Sequence, residues 1–223
     1  MARITLSVLA GLLALAMATP SSAADLPRKA PIYTAPVFTW GGVYVGINGG
    51  YGWGTSDWSS AATAGSPKPK GGLVGGTLGY NVQTGGLVWG LEGDLDYSWI
   101  KGTDTGGTGV CAAPGCETRN TYLATGRGRL GFAADRWLPY ITGGAALGGV
   151  KMSPNNGLSQ TKGKFGWTLG GGVEYAVTGA WSIKAEYLYV DLGRTTCSAA
   201  TCGIDTDVKF KDNVVRTGLN YRF

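Results

Sequence analysis

The chain alternates apolar and polar residues along most of its length after residue 38, and the clearest example is the segment 87–99. Its odd positions are Leu, Trp, Leu, Gly, Leu, Tyr and Trp, whereas its even positions are Val, Gly, Glu, Asp, Asp and Ser. Successive side chains of a β-strand point to opposite faces. The segment therefore predicts a strand with one apolar, aromatic face and one small, acidic face.

Seven further segments bring the number of predicted strands to eight. Six of them have assignable faces: 43–53, 74–82, 122–132, 165–177, 181–189 and 215–223. The segment 138–150 is diluted by glycine, and its faces are left unassigned. Tight turns are predicted at 83–86, 134–136 and 178–180, and long links at 54–70, 102–118, 151–163 and 194–210. Short and long connections that alternate are typical of an outer-membrane barrel, with periplasmic turns and extracellular loops.

The composition supports an all-β fold and argues against catalysis. Glycine accounts for 40 of 223 residues, or about 18%, against about 7% in an average protein. Glycine in the interior of a helix destabilises it. Histidine is absent, which excludes Ser-His-Asp and Cys-His arrangements and histidine-ligated zinc. We therefore expect no enzyme activity and no cofactor. The net charge of +5 comes from scattered Lys and Arg, so no nucleic-acid partner is predicted.

The N-terminus predicts export. Residues 1–24 comprise Arg3, an apolar stretch from Ile4 to Ala18 and a run of small residues, with cleavage expected after Ala23 or Ala24. The apolar stretch is short for a membrane span, although a retained anchor is the alternative. Residues 25–37 carry three prolines and predict an extended periplasmic tether. The barrel is expected to occupy residues 38–223.

Four cysteines form two C-x4-C pairs, Cys111 with Cys116 and Cys197 with Cys202. Four cysteines allow three connectivities, and export to an oxidising compartment favours the two local disulfides. A four-cysteine metal site is the alternative. Both pairs fall in predicted long links, where each disulfide is expected to stiffen an exposed loop tip.

The charged face distinguishes a membrane barrel from a soluble β-sandwich, in which the aromatic face would point inward. An eight-stranded barrel encloses only enough room for side chains, and buried charges must be paired. We therefore expect five acidic and five basic residues to form a salt-bridge network that plugs the lumen, with a path for small ions as the alternative. The predicted network comprises Glu92, Asp94, Asp96, Arg127, Arg129, Glu174, Lys184, Glu186, Arg216 and Arg222.

Aromatic residues lie near the ends of the predicted strands, as in the girdles at the two membrane interfaces. This predicted girdle comprises Tyr51, Trp53, Tyr80, Trp89, Trp99, Trp167, Tyr175, Tyr187 and Tyr221. The chain ends on Leu219, Tyr221 and Phe223 in alternation with polar residues. This ending resembles the assembly signal that the outer-membrane insertion machinery recognises on a final strand.

Several motifs together resemble a known family. They are Ala-Asp-Leu-Pro at 24–27, Phe-Thr-Trp-Gly-Gly-Val-Tyr-Val-Gly at 38–46, Leu-Pro-Tyr-Ile-Thr-Gly-Gly at 138–144, Ala-Glu-Tyr-Leu-Tyr at 185–189 and Asn-Tyr-Arg-Phe at 220–223. The mature chain is similar to the small outer-membrane immunogenic proteins of alphaproteobacteria, which are porin-family or OmpA-type β-barrels. The resemblance implies an eight-stranded barrel in the outer membrane, exposed loops and a role in envelope integrity.

The resemblance also implies partners. They are outer-membrane lipid and lipopolysaccharide, and peptidoglycan through the end at Ala24 and Asp25. The leading functional hypothesis is a structural surface barrel with no catalytic activity. The first alternative is a narrow porin-like channel for small solutes or ions. The second is a surface barrel that binds haemin or a host or environmental ligand, with Tyr or Cys as the iron ligand because histidine is absent.

Overall fold

The computed structural model describes residues 38–61, 64–113, 115–154, 158–202 and 205–223. The predicted signal peptide at 1–24 and tether at 25–37 lie outside the described residues. The strands are β1 (Gly42–Ser59), β2 (Ala64–Gly65), β3 (Lys70–Thr84), β4 (Leu87–Ser98), β5 (Lys101–Asp104), β6 (Cys116–Phe132), β7 (Trp137–Ser153), β8 (Gln160–Thr178), β9 (Trp181–Cys197) and β10 (Thr206–Arg222). A 3-10 turn at Gly109–Cys111 and a one-turn helix, α1 (Ala199–Cys202), complete the elements.

Eight long antiparallel strands close into a ring. The order around the sheet is β1, β10, β9, β8, β7, β6, β4 and β3, and β3 pairs back with β1. The short strand β5 continues the line of β4 and pairs with β6 and β3. The all-β, up-and-down barrel of eight strands is therefore confirmed, with β2 and β5 as short additions at one end.

The two ends of the barrel differ in the length of their connections. At one end, here called the turn end, the connections comprise only residues 85–86, 133–136 and 179–180, and the last residue Phe223 lies beside them. At the opposite end, here called the loop end, the strands run deep into the predicted long links. β1 extends to Ser59 and β10 begins at Thr206. The predicted link boundaries were therefore wrong, because these segments keep a strand backbone after their outward side chains become polar.

The wall has two faces that alternate residue by residue. On β4 every outward residue from Leu87 to Tyr97 is exposed and every inward residue from Val88 to Ser98 is buried. The structure also assigns the faces of 138–150. Leu138, Tyr140 and Thr142 are buried inside, whereas Ile141 and Leu147 are exposed outside.

The interior contains two apolar clusters on either side of a polar region. Trp40, Val88, Leu138 and Ala176 close the turn end. A larger cluster, here called the loop-end core, fills the other end. It comprises Trp58, Leu73, Ile100, Leu123, Ala146, Val150, Met152, Leu188, Val190, Leu192, Val208, Phe210, Val214 and all four cysteines. Within the described part of the chain, no helix has the length and apolarity needed to cross a membrane.

Candidate functional site: the charge network in the lumen

The structure places all ten residues of the predicted network inside the barrel, where each is buried. They come from β4, β6, β8, β9 and β10, whose inward positions line one continuous stretch of the lumen. Ten ion pairs are formed between described residues, and all ten join members of this set. The network is balanced, with five acidic and five basic side chains.

Two arginines form the centre of the network. Arg127 binds Glu92 at 2.5 Å, Asp94 at 2.6 Å and Glu186 at 2.7 Å. Arg216 approaches the same carboxylate of Asp94 at 2.9 Å, Asp96 at 2.9 Å and Glu186 at 2.6 Å. The two guanidinium groups thus share Asp94 and Glu186, and their planar geometry allows each to hold several carboxylates at once.

Arg129 links this centre to the turn end. It donates to Glu174 and to the hydroxyl of Tyr44, the latter at 3.2 Å. Its guanidinium also lies 3.8 Å from the centre of the Tyr140 ring, which is a cation–π contact. Tyr44 in turn donates to Glu92 at 2.7 Å. The two tyrosines therefore extend the network to β1 and β7.

The remaining two cations lie at the edges of the network. The Nζ atom of Lys184 is 3.1 Å from Glu92. Arg222 lies 3.7 Å from Glu174 and donates to the carbonyl of Thr39. Its guanidinium is 5.0 Å from the centre of the Trp40 ring. Arg222 thus joins the charge network to the apolar cluster at the turn end.

Neutral polar side chains complete the network, and sequence reasoning missed their role. Thr77 and Thr125 donate to Asp94 at 2.8 and 2.9 Å. Ser182 and Asn220 donate to Glu174 at 2.5 and 3.1 Å. Thr125, Ser182 and Asn220 are an even number of residues away from inward charged residues of their own strands, and Thr77 shares the buried face of β3 with Leu73 and Asn81. This two-residue period is the signal that identifies all four as inward residues. Buried carboxylates need such donors, because an unsatisfied charge in the interior is costly.

Two further inward residues were also missed. Trp40 is fully buried and its backbone N–H donates to Gln83 at 2.6 Å. Asp212 is buried beside Gly52 and Gly54 near the loop-end core. Its place on the inward face follows from the parity of β10, in which Val214 and Arg216 are also inward.

The loop end corrects one expectation about the cysteines. The two local disulfides, Cys111–Cys116 and Cys197–Cys202, are present, and no free cysteine remains. However, all four residues are buried in the loop-end core and not at exposed loop tips. Cysteine is among the residues most often fully buried, and the four here pack with the apolar side chains of the extended strands. Among the described residues, no group of three or more potential ligands is arranged to hold a metal ion.

At the loop-end surface, two backbone groups hold the carboxylate of Asp104. The N–H groups of Ser66 and Gly106 donate to Asp104 at 2.8 and 2.9 Å. These two hydrogen bonds lower the pKa of Asp104 below its ordinary value. The charge of Asp104 is thus used to hold the connection after β5.

The nine predicted girdle residues all lie on the outward face. Tyr80, Trp89, Tyr175 and Tyr221 lie towards the turn end, and Tyr51, Trp53, Trp99, Trp167 and Tyr187 lie towards the loop end. Further outward aromatics add to both groups: Trp137, Trp181 and Phe132 near the turns, and Tyr97 and Tyr122 near the loops. Leu219, Tyr221 and Phe223 also face outward, on and just after the strand that closes the ring against β1.

Comparison with known proteins agrees with this geometry. The family model of the outer membrane protein beta-barrel domain matches residues 9–223. The 31 kDa outer-membrane immunogenic protein of Brucella melitensis is 36% identical, over 97% of this chain and 99% of the relative. The 22 kDa outer membrane protein of Rhizobium leguminosarum bv. viciae is 32% identical, over 88% of this chain and 83% of the relative. The crystal structure of OprG from Pseudomonas aeruginosa shares the fold, with a TM-score of 0.50, 13% identity and coverage of 82% of this chain and 97% of that chain.

Proposed function

Because the chain belongs to the outer-membrane β-barrel protein family, we propose that it is a structural barrel of the bacterial outer membrane with a closed lumen. The charge network supports this proposal most directly. Side chains from all eight long strands meet in the lumen, where cations and carboxylates neutralise one another. Such a network ties each strand to the others and leaves no aqueous path of appreciable width.

The two apolar clusters support the same conclusion. Trp40 and Leu138 lie at the turn end of the lumen, and the loop-end core lies at the other. An ion would have to cross both apolar regions as well as the ion pairs between them. We therefore propose that the protein contributes to envelope integrity through its stability and not through transport.

Conductance in planar lipid bilayers tests the closed lumen. The refolded protein is expected to show no reproducible open state. The double variant Arg129→Ser with Glu174→Ser keeps the net charge and removes the ion pair between these residues together with their pairs to Glu92 and Arg222. It shows whether the assay detects a partly opened lumen. A reproducible open state of the unaltered protein would instead favour the narrow channel.

We also propose that the barrel has no catalytic function and that its loop end faces the outside of the cell. In bacterial outer-membrane barrels the short turns are periplasmic and the longer connections are extracellular, and the named relatives in Brucella are immunogenic. Labelling of intact cells with a membrane-impermeant amine reagent tests this orientation. Lysines such as Lys68 and Lys209 at the loop end should react, and only disruption of the outer membrane should expose Arg136 at the turn end to trypsin.

The predicted assembly signal and the predicted tether remain separate proposals. Phe223→Ala should slow insertion of the barrel into vesicles that contain the purified insertion machinery, and should have little effect on folding into detergent. Attachment of the mature N-terminus to peptidoglycan would be seen as chain fragments that remain on purified sacculi after boiling in detergent. Neither result depends on whether the lumen conducts.

A further inference from the structure

Four cations form a continuous row on the outward face of the barrel at the loop end. Lys70 on β3 is directly opposite Lys101 on β5, Lys101 is opposite Arg119 on β6, and Arg119 is opposite Lys151 on β7. We call these four residues the cation row. Lys70 is exposed and is opposite the outward Trp53 of β1. The sequence neighbours of the other three, namely Ile100, Thr118, Asn120, Val150 and Met152, are buried inside, so the four side chains share the outer face.

The cation row follows directly on the apolar outer face. On β4 and β5 the outward residues run Tyr97, Trp99 and then Lys101. On β6 the outward aromatic Tyr122 precedes Arg119 towards the loop end, and on β7 Leu147 precedes Lys151. In each of these lines the cation is the first charged outward residue beyond the apolar band, at the height where lipid headgroups meet the barrel.

The row carries positive charge that the protein does not neutralise. Like charges directly opposite one another on a sheet are destabilising. Among the described residues, no member of the row takes part in an ion pair. Glu117 is the next outward residue on β6, opposite Thr103 and Ser153. It supplies one negative charge beside four positive ones, and Lys68 adds a further cation beyond Lys70.

The opposite side of the barrel shows a different arrangement at the same end. Lys209 and Lys211 of β10 also face outward, but Lys209 is opposite Asp57 of β1 and Lys211 is opposite Asp191 of β9. Each of these lysines therefore has an acidic cross-strand neighbour. Arg194 of β9 is also opposite Lys209, but Asp207 of β10 is exposed on the same face. Three outward cations on this side are thus matched by the three carboxylates Asp57, Asp191 and Asp207, whereas the cation row has no such match.

We propose that the cation row binds the phosphorylated headgroup of an outer-leaflet glycolipid, with its acyl chains against the apolar band below. The inference rests on the outer-membrane location and not on the closed lumen. A phosphate-bearing headgroup supplies the negative charge that the row lacks, and its chains are held at the required height by the bilayer. Phosphate oxygens can accept from Lys and Arg of adjacent strands at once.

Binding of purified lipid A to the full chain in phosphatidylcholine nanodiscs tests the proposal, with retained adducts counted by native mass spectrometry. Lys101→Gln with Arg119→Gln should weaken binding by about tenfold. Lys209→Gln with Lys211→Gln removes the same net charge from the opposite face and should change binding by less than about twofold. Heat-modifiability on gels checks that both variants are folded.

Three results would overturn the proposal. The first is unaltered lipid A binding by the row variant, and the second is an equal loss in both double variants, which would indicate only diffuse attraction. The third uses heparin as a soluble polyanion, added to protein in uncharged detergent without lipid A. If heparin binds more tightly than lipid A and loses affinity in the row variant alone, the row serves a soluble partner instead of a lipid.

Discussion

The membrane-embedded part of the barrel and its loop end differ in which face of the wall is apolar. On β1 the outward residues Val45, Ile47 and Trp53 are apolar and the inward residue Asn48 is polar. Farther along the same strand the outward Asp57 is charged and the inward Trp58 is buried in the loop-end core.

The reversal shows that the medium outside the wall decides the pattern of the strand. Where lipid surrounds the barrel, polar side chains can only be placed inside, and they must neutralise one another there. Where water surrounds it, the same strands behave as a soluble β-barrel, with an apolar interior and a charged exterior. The disulfides belong to this second region, in which apolar burial and cross-links hold the strands together.

Removal of one central arginine should produce the largest effect. Arg127→Met leaves Glu92, Asp94 and Glu186 without one of their cations, and should lower the free energy of unfolding by about 3–5 kcal/mol. Urea unfolding in lipid vesicles, followed by the gel shift of the folded barrel, measures this. The exposed Arg136→Met at the turn end is the control, with an expected change below about 0.5 kcal/mol. A small effect at Arg127 would mean that the ion pairs do not carry the stability of the embedded part.

A lysine on the outer face should distinguish the two regions by position alone. Leu91 is 72% exposed on the outward face within the apolar band, and Leu91→Lys should cost about 2–4 kcal/mol if that face meets lipid. Ser59→Lys adds the same charge to the outer face of β1 beyond Trp53, opposite Asp207 of β10, and should be nearly neutral. The same unfolding assay measures both, and equal costs would contradict the assigned limit of the membrane.

Two adjacent glycines allow a test of the crowded interior. A Cβ atom on the inward Gly50 would clash with the backbone O of Val215 and lie 2.6 Å from the Cβ of Arg216, whereas one on the outward Gly49 would have Leu73 O as its nearest neighbour at 3.7 Å. Gly50→Ala should therefore destabilise the barrel by about 1–3 kcal/mol. Gly49→Ala should stabilise it by about 0.5 kcal/mol, because glycine weakens a strand. The order of the two unfolding midpoints is the measurement, and the reverse order would contradict the assigned faces of β1.

Loss of a disulfide should have the smallest effect on the barrel as a whole. Cys197→Ser with Cys202→Ser removes a cross-link worth about 2 kcal/mol, but its consequences should stay in the loop end. Trypsin cleavage near Arg194 and Lys209 should accelerate by roughly thirtyfold, while the gel-shift transition of the embedded part should be unaltered. If both change together, the two regions unfold as a single cooperative unit.

The alternation of side chains was sufficient to predict much of the embedded part. Parity placed Glu92, Asp94 and Arg127 on inward faces without any knowledge of their partners, because a strand has only two faces. The same rule places Tyr44, Thr77 and Asn220 on the face opposite the apolar one, but their uncharged side chains gave no reason to assign them to the network. The region 138–150 was not assignable, since glycine at several positions removes the contrast between its faces.

The loop end was mispredicted because the pattern reverses there. In segments such as 54–59 the outward positions are polar, and the inward positions include both Ser56 and Trp58. The alternation of apolar and polar residues is therefore lost, and the local sequence predicts a loop. The burial of both disulfides could not be predicted either, because it depends on strands that continue above the lipid.

By itself, the sequence determined the strand count, the inward and outward faces of the embedded strands, and the local cysteine pairing. These depend on the two-residue period of a strand and on short separations along the chain. Only the tertiary structure decided which charges meet across the lumen, where the apolar and polar faces exchange, and that four cations of different strands form one row. These properties depend on the register of strands distant in the sequence, which is set when the whole ring closes.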